Sequence, residues 1–504
     1  MVAAIALWYE ASTPGPPDVI LLSIDTLRAE HLGCYGYGPA RTPIVDALAA
    51  QGTVFRNAYT PFPRTTPAIA SLFTGLWPSQ HGSREVKQPM AELPTLAALL
   101  SQHGYHTVAV SGTDALSEST NVHLGFDYSF VRNVKHAKNL NRRVLPRLKK
   151  APPGQPLFLW VHYMDPHWGY EPLPEWRSEQ CTPDCYNILN SAGEFVASNL
   201  DGAARAVLGS CTACYNDEIA HVDHSIGELL QAIRGLRGHR EQLIIVTSDH
   251  GENMGEGGVY YEHGPTVHEV ALRVPLIIVG PGVAPRVEER VVTLVDVLPT
   301  LWGHLGLPEE DVPPTSGRDL SDWLRAPEDS AAVGRGHAVF AESGSALFVE
   351  QTRFVHSGTR EGRHCLNAER YSLCGEPGGK QLLFDHIKDP RLLKDVSEAF
   401  PQERARLLGY RELWAPEEAR ERTVISGRFK LVERPLASGG YRSSLYDLAR
   451  DRDEVDDLAV AFPDEARRLR EILEAWAADT DQDREDEERS AETLERLRSL
   501  GYVR

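Results

Sequence analysis

Five short runs of this chain are almost continuously apolar and rich in β-branched residues: 19–24, 107–110, 157–161, 243–247 and 275–279. Such a run without alternation suits a strand covered on both faces. Helical spacing fills the gaps. In Ile219, Val222, Ile226, Leu229, Leu230 and Ile233 apolar residues return every three or four positions, the stripe of one helix face. His221 and His224 lie on the same helix and are expected to be solvated. Strands alternating with helices predict an α/β domain over 18–324, a large, mixed, mostly parallel sheet sandwiched by helices. Residues 325–336, rich in Ala, Gly, Pro and charge, read as a linker.

The part beyond, 337–480, carries an internal repeat with an offset of 62 residues. Leu383-Phe384-Asp385 matches Leu445-Tyr446-Asp447, Asp395 matches Asp457, Phe400-Pro401 matches Phe462-Pro463 and Trp414 matches Trp476. Upstream, Arg353-Phe354 matches Arg428-Phe429, with a longer connection in the first copy that carries Cys365 and Cys374. Each copy reads as a β-hairpin followed by a helix. Two copies side by side predict a smaller α+β domain with one antiparallel sheet. The tail, 481–504, is charged over its first half and is expected to be solvated there.

The net charge of −19 argues against a nucleic-acid partner, which needs a basic face. An anionic substrate stays admissible, because one bound cation reverses the local field. No apolar run reaches the ~20 residues that span a bilayer, so no integral membrane segment is expected. Residues 2–8 are apolar but short and lack a basic flank. A trimmed export signal and a frayed strand both stay open. Cys181 and Cys185 lie close in sequence, as do Cys211 and Cys214, and Cys365 and Cys374. We expect disulfides and an exported, oxidising setting, periplasmic or extracellular. A four-cysteine zinc site from Cys181, Cys185, Cys211 and Cys214 is the rival. Cys34 reads as a small buried hydrophobe.

Two carboxylates and an imidazole end predicted strands: Asp25 the first, Asp249 and His250 another. Ligands of open α/β sheets bind at that carboxyl edge, and this trio suits a divalent cation. In Arg64 to Gly75, Thr66 reads as the N-cap, Pro67 as the first helical residue and Gly75 as the stop. Thr65 then stands before a helix N-terminus, which favours an alkoxide and an incoming anion. The rival reading makes Thr65 and Thr66 capping residues only.

The motif Asp25-Thr26-Leu27-Arg28-Ala29-Glu30-His31-Leu32-Gly33-Cys34-Tyr35-Gly36 resembles the opening of the sulfatase family, within the alkaline phosphatase superfamily. Thr65-Thr66-Pro67 through Thr74-Gly75 falls where that family has C/S-x-P-S-R, a helix and T-G. Segments similar to family ones continue in order: Asp165-Pro166-His167, Ser248-Asp249-His250-Gly251-Glu252, His263-Gly264, Val295-Asp296 and Leu500-Gly501-Tyr502. The resemblance implies that Asp25, Asp249 and His250 hold one divalent metal ion, calcium by family habit, with manganese, magnesium or zinc admissible. It implies Thr65 as fourth ligand and nucleophile. It implies His167 and His263 as catalytic, substrate-binding groups that contact the anion or protonate the leaving group. His162 and Asp165 are expected in supporting roles.

The departures bear on the chemistry. Thr65 stands where sulfatases convert a cysteine or serine to formylglycine, so no formylglycine is expected. The family arginine is Ile69, its lysine Gly112 and its histidine Asp114. In an enclosed site each missing charge-assisted hydrogen bond costs a few kcal/mol. The expectation is therefore a metal-dependent hydrolase of phosphate, phosphonate or sulfate esters, with a small-molecule or glycan ester as substrate. A true sulfatase using unmodified threonine is the first alternative. A non-catalytic sulfatase-like protein that binds a glycan or a partner is the second.

Overall fold

A computed structural model describes residues 15–482 apart from 168, 183–184, 186–194, 197–201, 239, 257–258, 326–337, 344–346, 351–352, 361–362, 369–370, 376–380, 386–387, 389–392, 403, 406, 408–419 and 437–439. The N-terminal apolar segment, the linker, Trp414 of the repeat and nearly all of the charged tail fall outside the described residues.

All five apolar runs are strands. The main sheet contains β1 (Asp18–Ile24), β2 (Thr53–Tyr59), β3 (His106–Ser111), β4 (Tyr128–Val131), β5 (Leu157–Tyr163), β6 (Gln242–Ser248), β7 (Arg273–Val279) and β8 (Arg286–Thr293), in the order β8-β2-β7-β6-β1-β5-β3-β4. Neighbours are parallel, except that β7 runs antiparallel to both β2 and β6. Every residue of β1 is buried. Ile20, Leu22 and Ile24 enter one core, and Val19 and Leu21 the other, so the period of two serves both faces. Each such side chain contributes about 1.5–3 kcal/mol by leaving water.

Helices α1 (Pro43–Ala49), α2 (Thr65–Thr74), α3 (Ala137–Leu148) and α4 (Gly202–Arg237) flank the sheet. The second buries Ile69, Leu72 and Phe73 on one face of the sheet; α3 and α4 pack on the other. All six predicted stripe residues of α4 are buried. The expectation for the histidines fails at His221, which is buried, as are Asp217, Glu218 and Asp223. The polar side of α4 is also covered. Trp176 lies over His221 and His224, with ring centroids at 5.8 and 5.1 Å, and Asp217 accepts the Ser178 N–H at 2.7 Å.

Cys181 bonds to Cys214 and Cys185 to Cys211, so these four cysteines form disulfides and not a zinc site. Each bond joins the segment before α4 to α4 itself. Cys374 is also disulfide-bonded and faces Cys365 in the strand register. Cys34 is half-buried, packed at the edge of the core, and burial pushes its thiol pKa up. The two described bonds close spans of 33 and 26 residues. Opening such spans is expected to cost about 2–4 kcal/mol. A denaturation midpoint that reductant leaves unchanged would contradict this.

Beyond the linker come β9 (Ala338–Glu342), β10 (Leu347–Glu350), β11 (Arg353–Arg360), β12 (Arg363–Ala368), β13 (Tyr371–Gly375), β14 (Gln381–Asp385), β15 (Arg422–Ser426), β16 (Phe429–Pro435), β17 (Tyr441–Asp447) and helix α5 (Pro463–Gln482). One matched pair of aspartates makes equivalent hydrogen bonds in the two copies. Asp395 accepts the Leu383 N–H, and Asp457 accepts the Leu445 N–H. The single shared sheet is not what forms. The first copy builds a five-stranded sheet, β10 to β14, and the second a four-stranded one, β9-β15-β16-β17. The inserted hairpin β12–β13 separates the two strands of the first copy, β11 and β14. The four-stranded sheet packs on the main domain through Tyr59, Leu272, Val339, Ile425 and Tyr446. Inside that interface Lys430 lies 2.5 Å from Glu454, which also meets His268 at 2.7 Å.

Candidate metal centre and nucleophile

Strand register assembles the centre. Ile24 of β1 pairs with Ser248 of β6, so Asp25 and Asp249 leave the sheet side by side. On the other side Ser23 pairs with His162 of β5. The Ser248 hydroxyl lies 2.6 Å from the carbonyls of Ile24 and His250 and accepts the Leu27 N–H at 3.0 Å, tying the two strand ends together. Thr26 takes a positive φ of 55°, a strained conformation of the kind that gathers at functional sites.

His250 Nε2 lies 3.4 Å from Asp249 Oδ2, 3.8 Å from Asp25 Oδ1 and 3.4 Å from the Thr65 hydroxyl. Its Nδ1 faces the Gly251 carbonyl at 2.9 Å, so Nδ1 donates and Nε2 presents a lone pair. Asp25 Oδ1 and Asp249 Oδ2 are buried without hydrogen-bond partners. Burial drives the Asp249 pKa up and the Asp25 charge adds to this. For Asp25 burial acts in the same direction, but His167, His162 and His250 outweigh it and hold the carboxyl well below its usual range. Burial lowers the His250 pKa and keeps the ring neutral. Two orphaned carboxylate oxygens and a neutral imidazole nitrogen fit a divalent cation.

The helix α2 begins at Thr65, earlier than the expected start at Pro67. Arg64 is its N-cap and no side chain caps it, while Gly75 ends it at φ 68°. Thr65 thus occupies the first turn, and its hydroxyl turns to His250. The Thr66 hydroxyl instead donates to the Ala115 carbonyl at 2.7 Å and accepts the Lys87 N–H at 2.9 Å.

His263 stacks on His250, with centroids 4.3 Å apart, and meets His167 edge-on at 5.2 Å. All six expected site residues therefore gather at one place. His162 supports Asp25 from 3.4 Å and is itself held by Ser23 at 2.8 Å. Sequence reasoning gave no role to Glu252. It is fully buried, meets His263 Nδ1 at 3.1 Å and accepts from the Tyr170 hydroxyl at 2.9 Å, and burial pushes its pKa up to about 7. Nor did it single out Lys87, whose ammonium lies 3.0 Å from Asp114, or the Arg64 guanidinium, which lies against Gly264. Lys87 comes from a loop whose approach no spacing announces, and Arg64 is the N-cap of α2. The insertion after β5 reaches this region: Phe195 and Val196 pair with the strand Val259–Glu262 that leads into His263.

Such a centre at the carboxyl edge of an α/β sheet defines a hydrolase class of site. The chain belongs to the sulfatase family, a family of ester hydrolases, whose model matches residues 17–307. A choline-sulfatase of Rhizobium meliloti is 25% identical over 472 residues, which span 80% of this chain and 87% of that one. The fold matches a solved structure in complex with D-glucosamine-2-N,6-O-disulfate at TM-score 0.62 and 17% identity, over 94% of this chain and 99% of that one. It matches a phosphonate monoester hydrolase from Silicibacter pomeroyi at TM-score 0.59 and 19% identity, over 91% and 95%. Among the described residues no helix is long and apolar enough to cross a membrane.

Proposed function

We propose that the protein hydrolyses phosphate or phosphonate esters with Thr65 as nucleophile. The observation that carries this is the Thr65 hydroxyl beside His250 Nε2, with two unpartnered carboxylate oxygens converging on that nitrogen. Asp25, Asp249 and His250, completed by Thr65, hold one divalent ion. When bound, that ion lowers the pKa of the Thr65 hydroxyl and offsets charge on the ester oxygens. The first turn of α2 directs its N–H groups at the same oxygens. The Thr65 hydroxyl gives up its proton to solvent and Oγ attacks phosphorus; the ester P–O bond breaks and the alkoxide or aryl oxide leaves with a proton from His167 or His263; water then attacks phosphorus, Thr65 Oγ leaves and regains a proton, and the phosphate or phosphonate departs. Glu252 orients His263. The disulfides suit an exported enzyme.

Sulfate chemistry with unmodified Thr65 is the second reading, favoured by the sulfatase relatives. The structure bears on the missing anion-binding groups. Ile69 is buried in the core, and a Cβ on Gly112 would lie 2.9 Å from the Val134 carbonyl. The test is a panel of an aryl phosphate, an aryl phosphonate monoester and an aryl sulfate, with Ca, Mn, Mg and Zn supplied in turn. We expect phosphorus esters to lead in kcat/KM by about two orders of magnitude or more, the worth of two charge-assisted hydrogen bonds. Cleavage of the sulfate alone would overturn the proposal. An inert protein without bound metal would favour the binding role.

A further inference from the structure

A second group of ligand-type side chains lies on the far side of the β5 loop. His136 caps the start of α3, Asp165 follows β5, and His221 lies within α4. One nitrogen or carboxylate oxygen from each falls within 4.8 Å of the others. We propose that His136, Asp165 and His221 form a second metal site, separate from the Asp25–Asp249–His250 centre, that takes a zinc-class divalent ion.

The distances carry the first argument. His136 Nδ1 lies 3.6 Å from Asp165 Oδ1, and His221 Nδ1 lies 3.4 Å from Asp165 Oδ2. These are long for hydrogen bonds. They approach the edge of a tetrahedron, about 3.4 Å when ligand bonds are about 2.1 Å. Unmet valence carries the second. His136 Nδ1, Asp165 Oδ1 and both carboxylate oxygens of Glu218 lack hydrogen-bond partners. Glu218 is only 1% exposed and sits one turn before His221 on the same face of α4. Lys135 approaches Glu218 to 4.0 Å but lies closer to Glu171, at 3.4 Å. Glu171 is exposed, so the buried Glu218 carboxyl is left with one distant ammonium, and burial and the Asp165 charge push its pKa up.

Ligand chemistry selects the ion. Two imidazoles and one carboxylate suit zinc with one position left for water, whereas calcium takes six or more oxygens. The partly exposed edge of His136 gives access from solvent. A bound ion would pin the loop after β5, which carries His167 two residues on, to both α3 and α4. Asp165 Oδ2 already accepts the Ala137 N–H at 2.7 Å from the same corner.

The experiment is a titration of the chelator-stripped full chain with Zn²⁺ and with Co²⁺. Wild type is expected to bind two equivalents, and both His136→Ala and Asp249→Ala one. The intense visible Co²⁺ bands of a tetrahedral site should survive in Asp249→Ala and vanish in His136→Ala. Zn²⁺ should raise the melting temperature of Asp249→Ala but not that of the double variant. His136 is the less buried histidine, so its removal tests the site if His221→Ala fails to fold. One equivalent in wild type and none in Asp249→Ala would overturn the proposal and leave the first centre intact.

Discussion

Thr65→Ala is expected to lower kcat/KM for the best ester by about four orders of magnitude or more, the scale seen when a covalent nucleophile is removed. The geometry sets the direction. The hydroxyl is held 3.4 Å from His250 Nε2 in the first turn of α2, and no other hydroxyl is placed there among the described residues. In the proposed centre the metal should stay, because Asp25, Asp249 and His250 remain and Thr65 would supply only one of four ligands. Metal content near one equivalent at the first centre, with turnover at background, is the expected result. Thr65→Ser keeps the oxygen and should keep most of the activity. A Thr65→Ala enzyme within tenfold of wild type would remove the nucleophile from the mechanism.

Glu454→Gln is expected to destabilise the protein by about 3–5 kcal/mol, the cost of breaking a buried ion pair by deleting one charge. Lys430 and Glu454 are both fully buried, 2.5 Å apart, where the C-terminal sheet meets the main domain. Burial alone would raise the Glu454 pKa. Lys430 and His268 reverse this and hold it at about 2, below the usual 4.5. The sign follows from the depression: stability from this group is complete above pH 4.5 and is lost as pH falls towards 2. Its size is about 3 kcal/mol. Urea midpoints of wild type and variant across pH 3 to 6 provide the check. A wild-type advantage that stays constant over that window would refute the coupling.

Much of the fold was legible because strands buried on both faces leave unbroken apolar runs. The five runs became β1, β3, β5, β6 and β7. The strands without such runs were missed for physical reasons. In β8, Arg286, Glu288, Glu289 and Arg290 belong to an edge strand that keeps one side in water. In β2, Arg56 and Asn57 interrupt the apolar pattern where the register shifts against β8. The same reasoning that read α4 as one apolar stripe misjudged His221, since a helix of 36 residues can be covered on more than one side. At the candidate site, motif order pointed to Asp25, Thr65, His167, Asp249, His250 and His263, which the structure brings close together. Glu252 and Lys87 are placed by loop packing, which leaves no periodic trace.

The crowding at Gly112 also bears on how such a site changes over time. The Val134 carbonyl, Met164 and the His162 carbonyl surround the space a side chain would need. Val134 is fixed there by its own N–H, which donates to the Gly112 carbonyl at 2.9 Å. A side chain can enter at position 112 only if the backbone around Val134 moves with it, so a single substitution there is coupled to the packing of its neighbours.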